Sequence, residues 1–267
     1  MPITADLGGK NYTFGRGKVF FDRFVANAVV GALTRGEGER YLGNTPEFNN
    51  ASESENLDHF DSDAGVRVKD DSVQLSFEQT ANFTCDNISS ENIALYFLGD
   101  REDVTVVGAT GIEETITVRR GRFYQLGMTE SNPAGARKIT AVTAVDDADA
   151  AITASGNFQV DETRGRIYIE DDATDIADDD EITVTYTTQN STRERVVSGS
   201  QSIYGALRFV ADNPKGPNRD YYYPYVKLAP DGDYSLKGDD WQTMGFTVEV
   251  LKKASNVASL YVDGQPV

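Results

Sequence analysis

The chain is short of the residues from which most catalytic sites are built. Its 267 residues include one histidine, one cysteine and one tryptophan. With His59 alone, a two-histidine metal site is excluded, and any Ser-His-Asp or Cys-His arrangement would have to rest on that one imidazole. His59 is flanked by Asp58 and Phe60 in a polar stretch, a poor place to hold a base in one orientation; an interface or structural histidine is expected. The single Cys85 excludes an internal disulfide framework and reads as a small buried apolar residue at a strand end. Basic residues are scarce as well: 25 Lys and Arg stand against 43 Asp and Glu, a formal net charge of −18. Affinity for nucleic acid comes largely from lysine and arginine on phosphates. The chain has no basic cluster beyond Arg119 with Arg120 and Lys252 with Lys253, so stable DNA binding is not expected. No apolar run approaches the roughly 20 residues of a membrane-spanning helix. The opening residues MPITADLGGKNYTFGRGK lack the apolar core of a secretion signal, so a chain kept in the cytoplasm, away from membranes, is expected.

Carboxylates are abundant, but none falls into a catalytic or metal-binding pattern. Asp61, Ser62 and Asp63 ahead of Gly65 resemble the opening of a calcium loop, yet the closing bidentate Glu is missing. Residues 170–181 are mostly Asp and Glu and read as a solvated acidic turn rather than a cation site. Paired carboxylates could hydrolyse glycosides, but no pair is singled out. Neither a metal nor a cofactor is expected. Tyr221, Tyr222, Tyr223 and Tyr225 could stack on sugars or bases; rings alternating between a core and a subunit interface fit them better.

What the chain does have is β structure. Period-two alternation or dense β-branched and aromatic content predicts strands at residues 18–24, 41–49, 66–84, 104–107, 115–118, 123–126, 138–145, 158–160, 166–170, 181–187, 206–210, 221–228 and 242–251, with a short one at 261–262. Val73, Leu75 and Phe77 are predicted to face a core, with Ser72, Gln74, Ser76 and Glu78 toward water. One helix is predicted over residues 90–98. Ser89 or Asn87 caps it, Glu91 favours its positive end, and Gly99 stops it. Ile88, Ile93, Leu95, Tyr96 and Leu98 should lay it flat on a sheet. Residues 109–189 read as a β-rich insertion dividing a core into residues 1–108 and 190–267. Between two strand-like runs, residues 49–71 read as a long polar loop whose apolar members are Leu57, Phe60, Val66 and Val68. Compact domains rarely keep so long a loop without a task, and one so polar needs an outside surface on which to order.

Several runs carry a family resemblance: GKVFFDRF (17–24), RYLGNTPEFN (40–49), LDHFDSDAG (57–65) and DNISSENIALYFLG (86–99). GRFYQLG (121–127), GALRFVADNPKG (205–216) and GDYSLKGDDWQ (232–242) follow in order. Together they resemble the major tail tube proteins of long, non-contractile-tailed bacteriophages, over most of the chain and most thinly at residues 141–192. The resemblance implies a structural virion protein and no enzyme. The fold it implies is mainly β: an antiparallel β-sandwich or barrel-like tail tube fold with one flanking α-helix, a long inter-strand loop and a β-rich insertion. Six copies would close into rings, and the rings would stack into a tube, assembled in the host cytoplasm and incorporated in the virion tail. The tail terminator, distal tail and tape measure proteins would be its other partners.

Carried onto this chain, the loop between the early strands reaches the next ring, with Glu53, Leu57, Asp58, His59, Phe60, Asp61, Asp63 and Val66 as inter-ring contacts. The N-terminal arm, residues 1–16, and the C-terminal segment, residues 254–267, would add further ring-to-ring contacts. Asp22, Glu78 and Glu249, from wet strand faces, are the candidates for lining the lumen. DNA would pass there without stable binding, repelled by carboxylates within the ~8–10 Å screening length. Two rivals remain on composition: a virion-surface or extracellular β-sandwich that binds glycans, and a carboxylate-based hydrolase.

Overall fold

Alternation of buried and exposed side chains governs most of the chain, as antiparallel strands with one wet face require. The computed structural model describes residues 12–24, 36–63 and 65–266. In chain order the first elements are β1 (Gly17–Arg23), β2 (Arg40–Tyr41), β3 (Glu47–Asp61), β4 (Val68–Cys85), α1 (Ser90–Tyr96) and β5 (Asp100–Val106). Next come β6 (Ala109–Val118), β7 (Arg122–Gln125), β8 (Ile139–Val145), β9 (Ala151–Ile152), β10 (Phe158–Asp161), β11 (Arg166–Ile169) and β12 (Asp180–Thr188). The last are β13 (Ser191–Val197), β14 (Ile203–Ala211), β15 (Arg219–Asp231), β16 (Met244–Val250) and β17 (Tyr261–Gly264). The fold is mainly β, and among the described residues α1 is its one α-helix.

The chain divides into two compact units, one of residues Met1–Glu102 with Val196–Val267 and one of Asp103–Arg195. It enters the second along β5 and leaves along β13, which pair as a two-stranded ribbon. The sequence reading set these limits at residues 109 and 189. The polar runs of β5 and β13 carry too little apolar alternation to mark where the unit starts and ends.

The first unit is an eight-stranded antiparallel sheet in the order β2-β1-β14-β15-β16-β4-β3, with β17 on β15. β15 is shared: Val226 to Asp231 pair with β16, and Arg219 to Tyr222 pair with β17. Pro224 sits where the β14–β15 register shifts, the kind of position at which a residue without N–H does least harm to a ladder. The sheet curls on itself. Phe48 on β3 stacks 5.4 Å from Phe209 on β14, four strands away in the sheet order, and contacts Phe83 and Tyr223 at 6.2 and 6.4 Å. Val19, Phe21, Leu207, Val226, Leu228, Phe246 and Val248 fill the core so enclosed. Each such side chain contributes about 1.5–3 kcal/mol by leaving water.

Helix α1 lies against this core through Leu95, with Ile88, Ile93, Tyr96 and Leu98 packed around it. Ser89 caps it, its side chain accepting from the Asn92 N–H at 3.2 Å, and Glu91 stands in the first turn. The Asn92 carboxamide is buried and satisfied. Its Nδ2 donates to the Leu42 and Asn87 carbonyls at 2.7 and 2.8 Å, and its Oδ1 accepts from Arg40 at 2.8 Å. Cys85 is buried beneath, its thiol donating to the Leu42 carbonyl at 3.2 Å, and burial pushes its pKa up. A cavity of about 450 Å³ beside α1 is lined by Phe21, Arg23, Arg40, Glu91 and Asp100 among others. At its rim Arg23 pairs with the largely exposed Asp100 at 3.0 Å, and Arg40 donates to Asn92.

The second unit is a small β-sandwich. A four-stranded sheet (β6-β12-β8-β9) and a three-stranded one (β10-β11-β7) share one core. Ile139, Ile182, Val184 and Tyr186 come from the first sheet, and Phe158, Ile167 and Ile169 from the second. β12 shows why: Ile182, Val184, Tyr186 and Thr188 are buried while the residues between them are not.

Candidate assembly interface

The polar segment read as a loop is not one. Residues 47–61 and 68–85 pair in register as a long antiparallel hairpin, from Glu47 opposite Thr84 to Asp61 opposite Val68. Backbone pairing needs no apolar side chains, and here polar cross-strand contacts accompany it. Asn49 donates to Asn82 at 3.2 Å, Ser72 to Asp58 at 2.7 Å, and Lys69 pairs with Asp58 at 2.6 Å. The His59 imidazole meets Asp70 at 2.6 Å. Lys69, followed by Ser72, holds the Asp58 carboxyl below its usual range. At the turn Asp61 accepts from the Asp63 N–H at 2.9 Å.

The root of the hairpin is fixed in the core. Phe48 and Phe83 are stacked there, and the buried Tyr223 hydroxyl donates to Asn50 Oδ1 at 2.6 Å. Beyond Asn50 the arm continues for about 11 residues, roughly 35 Å at ~3.3 Å per residue. From Ala51 to Asp61 and from Val68 to Leu75 every residue is exposed. β3 is also an edge strand of the sheet.

Two bulges on β4 set what each face presents. The register shifts between Glu55 and Asn56, where Leu75 is the extra residue, and between His59 and Phe60, where Asp70 is. In an unbroken strand Val73 and Phe77 would share a face. Here Phe77 lies opposite Ser54 and Val73 opposite Leu57, three residues apart on β3 and so of opposite parity, and the two fall on opposite faces. The expectation that Val73, Leu75 and Phe77 line a core is therefore corrected. They do not share one face, and all are more than half exposed. Leu57, Phe60, Val66 and Val68 are exposed too, Phe60 beneath the Arg67 guanidinium at 5.1 Å. Glu53 lies directly opposite Glu78, a like-charge pair that weakens a ribbon.

All eight inter-ring candidates, Glu53, Leu57, Asp58, His59, Phe60, Asp61, Asp63 and Val66, thus fall on one arm and its turn. The sequence missed Val73, Leu75 and Phe77 as arm residues. Their alternation was legible, but its partner strand was not. Among the lumen candidates Glu78 is exposed on the arm, and Glu249 is exposed and paired with Lys227 at 3.2 Å. Asp22 is corrected. It is only 6% exposed, and its two oxygens accept from the Gly36 and Gly38 N–H groups at 3.0 and 2.8 Å. A Cβ at position 36 would stand 2.1 Å from the Arg23 carbonyl, and Gly38 has φ of 106°, so this bracket requires both glycines. Asp22 closes the fold at that point and does not lie on a wet strand face.

Of the N-terminal arm, residues 1–11 lie outside the described residues, as does Val267 of the C-terminal segment. Phe14 bridges to Lys215, and β17 pairs with β15. The tyrosine run is interleaved with the fold. Tyr223 is buried, Tyr221 packs on Phe209, Arg208 covers Tyr222 at 4.3 Å, and Tyr225 stacks on Phe24 and Tyr204. No cluster of three or more metal-ligating side chains occurs among the described residues, and no described helix is long and apolar enough to cross a membrane.

Residues 12–261 match the sequence model of a family described as "Protein of unknown function UCP028589". No curated protein matches the chain.

Proposed function

The chain belongs to this family of unknown function, and we propose that it is a self-assembling structural protein, the tube-forming subunit of a bacteriophage tail. The observation that carries the reading is the β3–β4 arm. A two-stranded ribbon wet on both faces has little stability of its own, and this one exposes aliphatic and aromatic side chains on each face. Long exposed edge strands invite pairing with another chain. A second copy of the chain supplies both the cover and the pairing, and rings of six stacked by these arms give a tube. The order of the motifs shared with tail tube proteins supports this choice of assembly. In the virion the tube would end on terminator and distal tail proteins and enclose the tape measure. DNA would then cross an acidic lumen without stable binding, in keeping with the charge of −18.

The test removes the arm and keeps its root. Residues 54–77 are deleted and Glu53 is joined to Glu78 through an Asn-Gly turn, which suits a two-residue hairpin. The shortened protein should fold and stay in solution without forming tubes, while the full chain forms them at high concentration. Tubes of the shortened protein in negative-stain electron microscopy would refute the role of the arm. Salt-sensitive binding of duplex DNA by the full chain would refute the non-adhesive lumen.

A further inference from the structure

Trp241 is the most exposed large apolar side chain among the described residues, at 93%, and Leu236 stands at 74%. Both belong to residues 232–243, which join Asp231 at the end of β15 to Met244 at the start of β16. This segment is pinned in place. Tyr96 of α1 donates its hydroxyl to the Gly232 carbonyl at 2.7 Å, and Tyr234 packs on Tyr96 and Phe97 at 5.6 and 6.4 Å. Gln242 closes a neck: it accepts from the Tyr234 hydroxyl at 3.3 Å and donates to the Ser235 carbonyl at 3.1 Å. Residues 236–241 are left as a tip, with Leu236 on one side of the neck and Trp241 on the other. Tryptophan is enriched among the side chains that dominate binding between proteins, and a tip held before docking loses less freedom on docking.

Charge separates this tip from the far end of the same sheet. Asp231, Asp233, Asp239 and Asp240 are exposed around the tip, with Lys237 as the cation among them. β15 is 13 residues long, which sets its two ends about 40 Å apart at ~3.3 Å per residue. At its start Arg219 pairs with Gly264, and nearby Gly17 of β1 pairs with Ala211. Arg16, Lys18, Lys215 and Arg219 are exposed at this far end, with Phe14 54% exposed. Phe14 is fixed by its bridge to Lys215 and by the Arg16 guanidinium 4.4 Å from its ring. Asp212, Asp220 and Asp263 lie there too, so the far end carries four cations against three carboxylates, a net +1. The tip carries four carboxylates against one cation, a net −3. None of these four cations forms an ion pair among the described residues.

Two ends of opposite sign, each with an exposed ring, suit one another better than either suits itself, since like charges disfavour tip-to-tip pairing. Contact of one end with the other is heterologous, and repeated without closure it lines subunits up instead of stopping at a pair. The β3–β4 arm sets out from the tip's end, where Glu47 and Gly245 both face Thr84, and runs toward the far end. Arm and far end therefore reach toward the same neighbour.

We infer that the 236–241 tip docks, through Trp241 and Leu236, on the Phe14, Arg16 and Lys215 end of a second copy of this chain, with Asp239 and Asp240 facing those cations. The contact is separate from the arm, and it rests on the self-assembly proposed above, whose stacking surface it names.

The chain's single tryptophan is its own reporter. Selectively excited emission and acrylamide quenching of the full chain are followed from dilute to concentrated protein, with sedimentation and negative-stain electron microscopy alongside. As copies associate, emission should move to the blue and quenching should fall several-fold. Trp241→Ser should raise the threshold concentration by about 30-fold, as loss of a central anchor does. Asp239→Lys with Asp240→Lys makes both ends basic, and Arg16→Glu with Lys215→Glu makes both acidic. Each double variant should associate poorly alone, and a one-to-one mixture should recover association. Circular dichroism confirms that the variants are folded, and the wild-type emission needs none of them. Tubes that form with Trp241 emission and quenching unchanged would overturn this contact and leave the tube reading standing. Emission that shifts in short oligomers that never become tubes would bear out the contact and refute the tube. A chain that stays monomeric at every concentration would end both. A mixture of the double variants no better than either alone would overturn the pairing of the two ends.

Discussion

Removing apolar surface from the arm should weaken assembly and leave the subunit intact. Leu57, Val73, Leu75 and Phe77 are 62, 57, 57 and 59% exposed. Fully burying such a side chain is worth about 1.5–3 kcal/mol. With over half the surface still in water, docking gains about 1–2 kcal/mol from each. Replacement by threonine keeps β-propensity and removes most of that gain. Each of Leu57→Thr and Phe77→Thr should therefore raise the concentration needed for polymerisation by about 5–30-fold. Leu57 lies directly opposite Val73, so that pair should not be additive. Leu57 with Phe77, on opposite faces, should be closer to additive. The threshold concentration is read by sedimentation, and subunit stability by urea unfolding below it. Stability should change by no more than about 0.5 kcal/mol, as for other surface positions. A large stability loss with an unmoved polymerisation threshold would show that these side chains pack within their own subunit, and the reasoning would fail.

Asp22→Ala, which strands the Gly36 and Gly38 N–H groups, should cost about 2–4 kcal/mol of stability, and Asp22→Asn, keeping one acceptor, about half as much; urea denaturation measures both, and a neutral alanine variant would remove the bracket. Asp161 is held at about 2, below 3.8, by the Arg164 N–H first and then the Arg166 and Arg164 guanidiniums. Because the folded value is the lower one, its contribution is complete above about pH 4 and fades as pH falls toward 2. Asp161→Asn should flatten acid unfolding in that window alone, as followed by fluorescence. Burial pushes Tyr223 to about 12, and burial with the Glu114 carboxylate does the same for Tyr186. Of the 13 tyrosines, these two should ionise late in alkaline difference absorbance. Their stabilisation should be present below pH ~10 and be lost toward 12, and Tyr223→Phe or Tyr186→Phe should each delete a late step.

The elements legible in the sequence were those whose own side chains fix their burial. β11, β12 and β16 alternate cleanly. Helix α1 announces itself by Ser89, Glu91 and the apolar set from Ile88 to Leu98, although its last regular residue is Tyr96 rather than Leu98. What stayed hidden depends on a distant partner. Beyond its root β3 has almost no apolar alternation because both its faces are in water, so the strand past Asn49 read as a loop. The bulges at Leu75 and Asp70 exist only relative to β3, and no local pattern separates Val73 from Phe77. Asp22 looked like a wet-face residue by parity. Its burial comes from Gly36 and Gly38, which lie outside the strand.

The bulges leave the arm greasy on both flanks, with Leu57 and Val73 to one side and Phe77 to the other. A blade of this kind gains little from resting on a flat wall, because one flank would stay wet. It calls for a slot whose two cheeks close on it, and a slot fixes depth and angle together. Any receptor built that way would hold successive copies at one set spacing, with little freedom to slide.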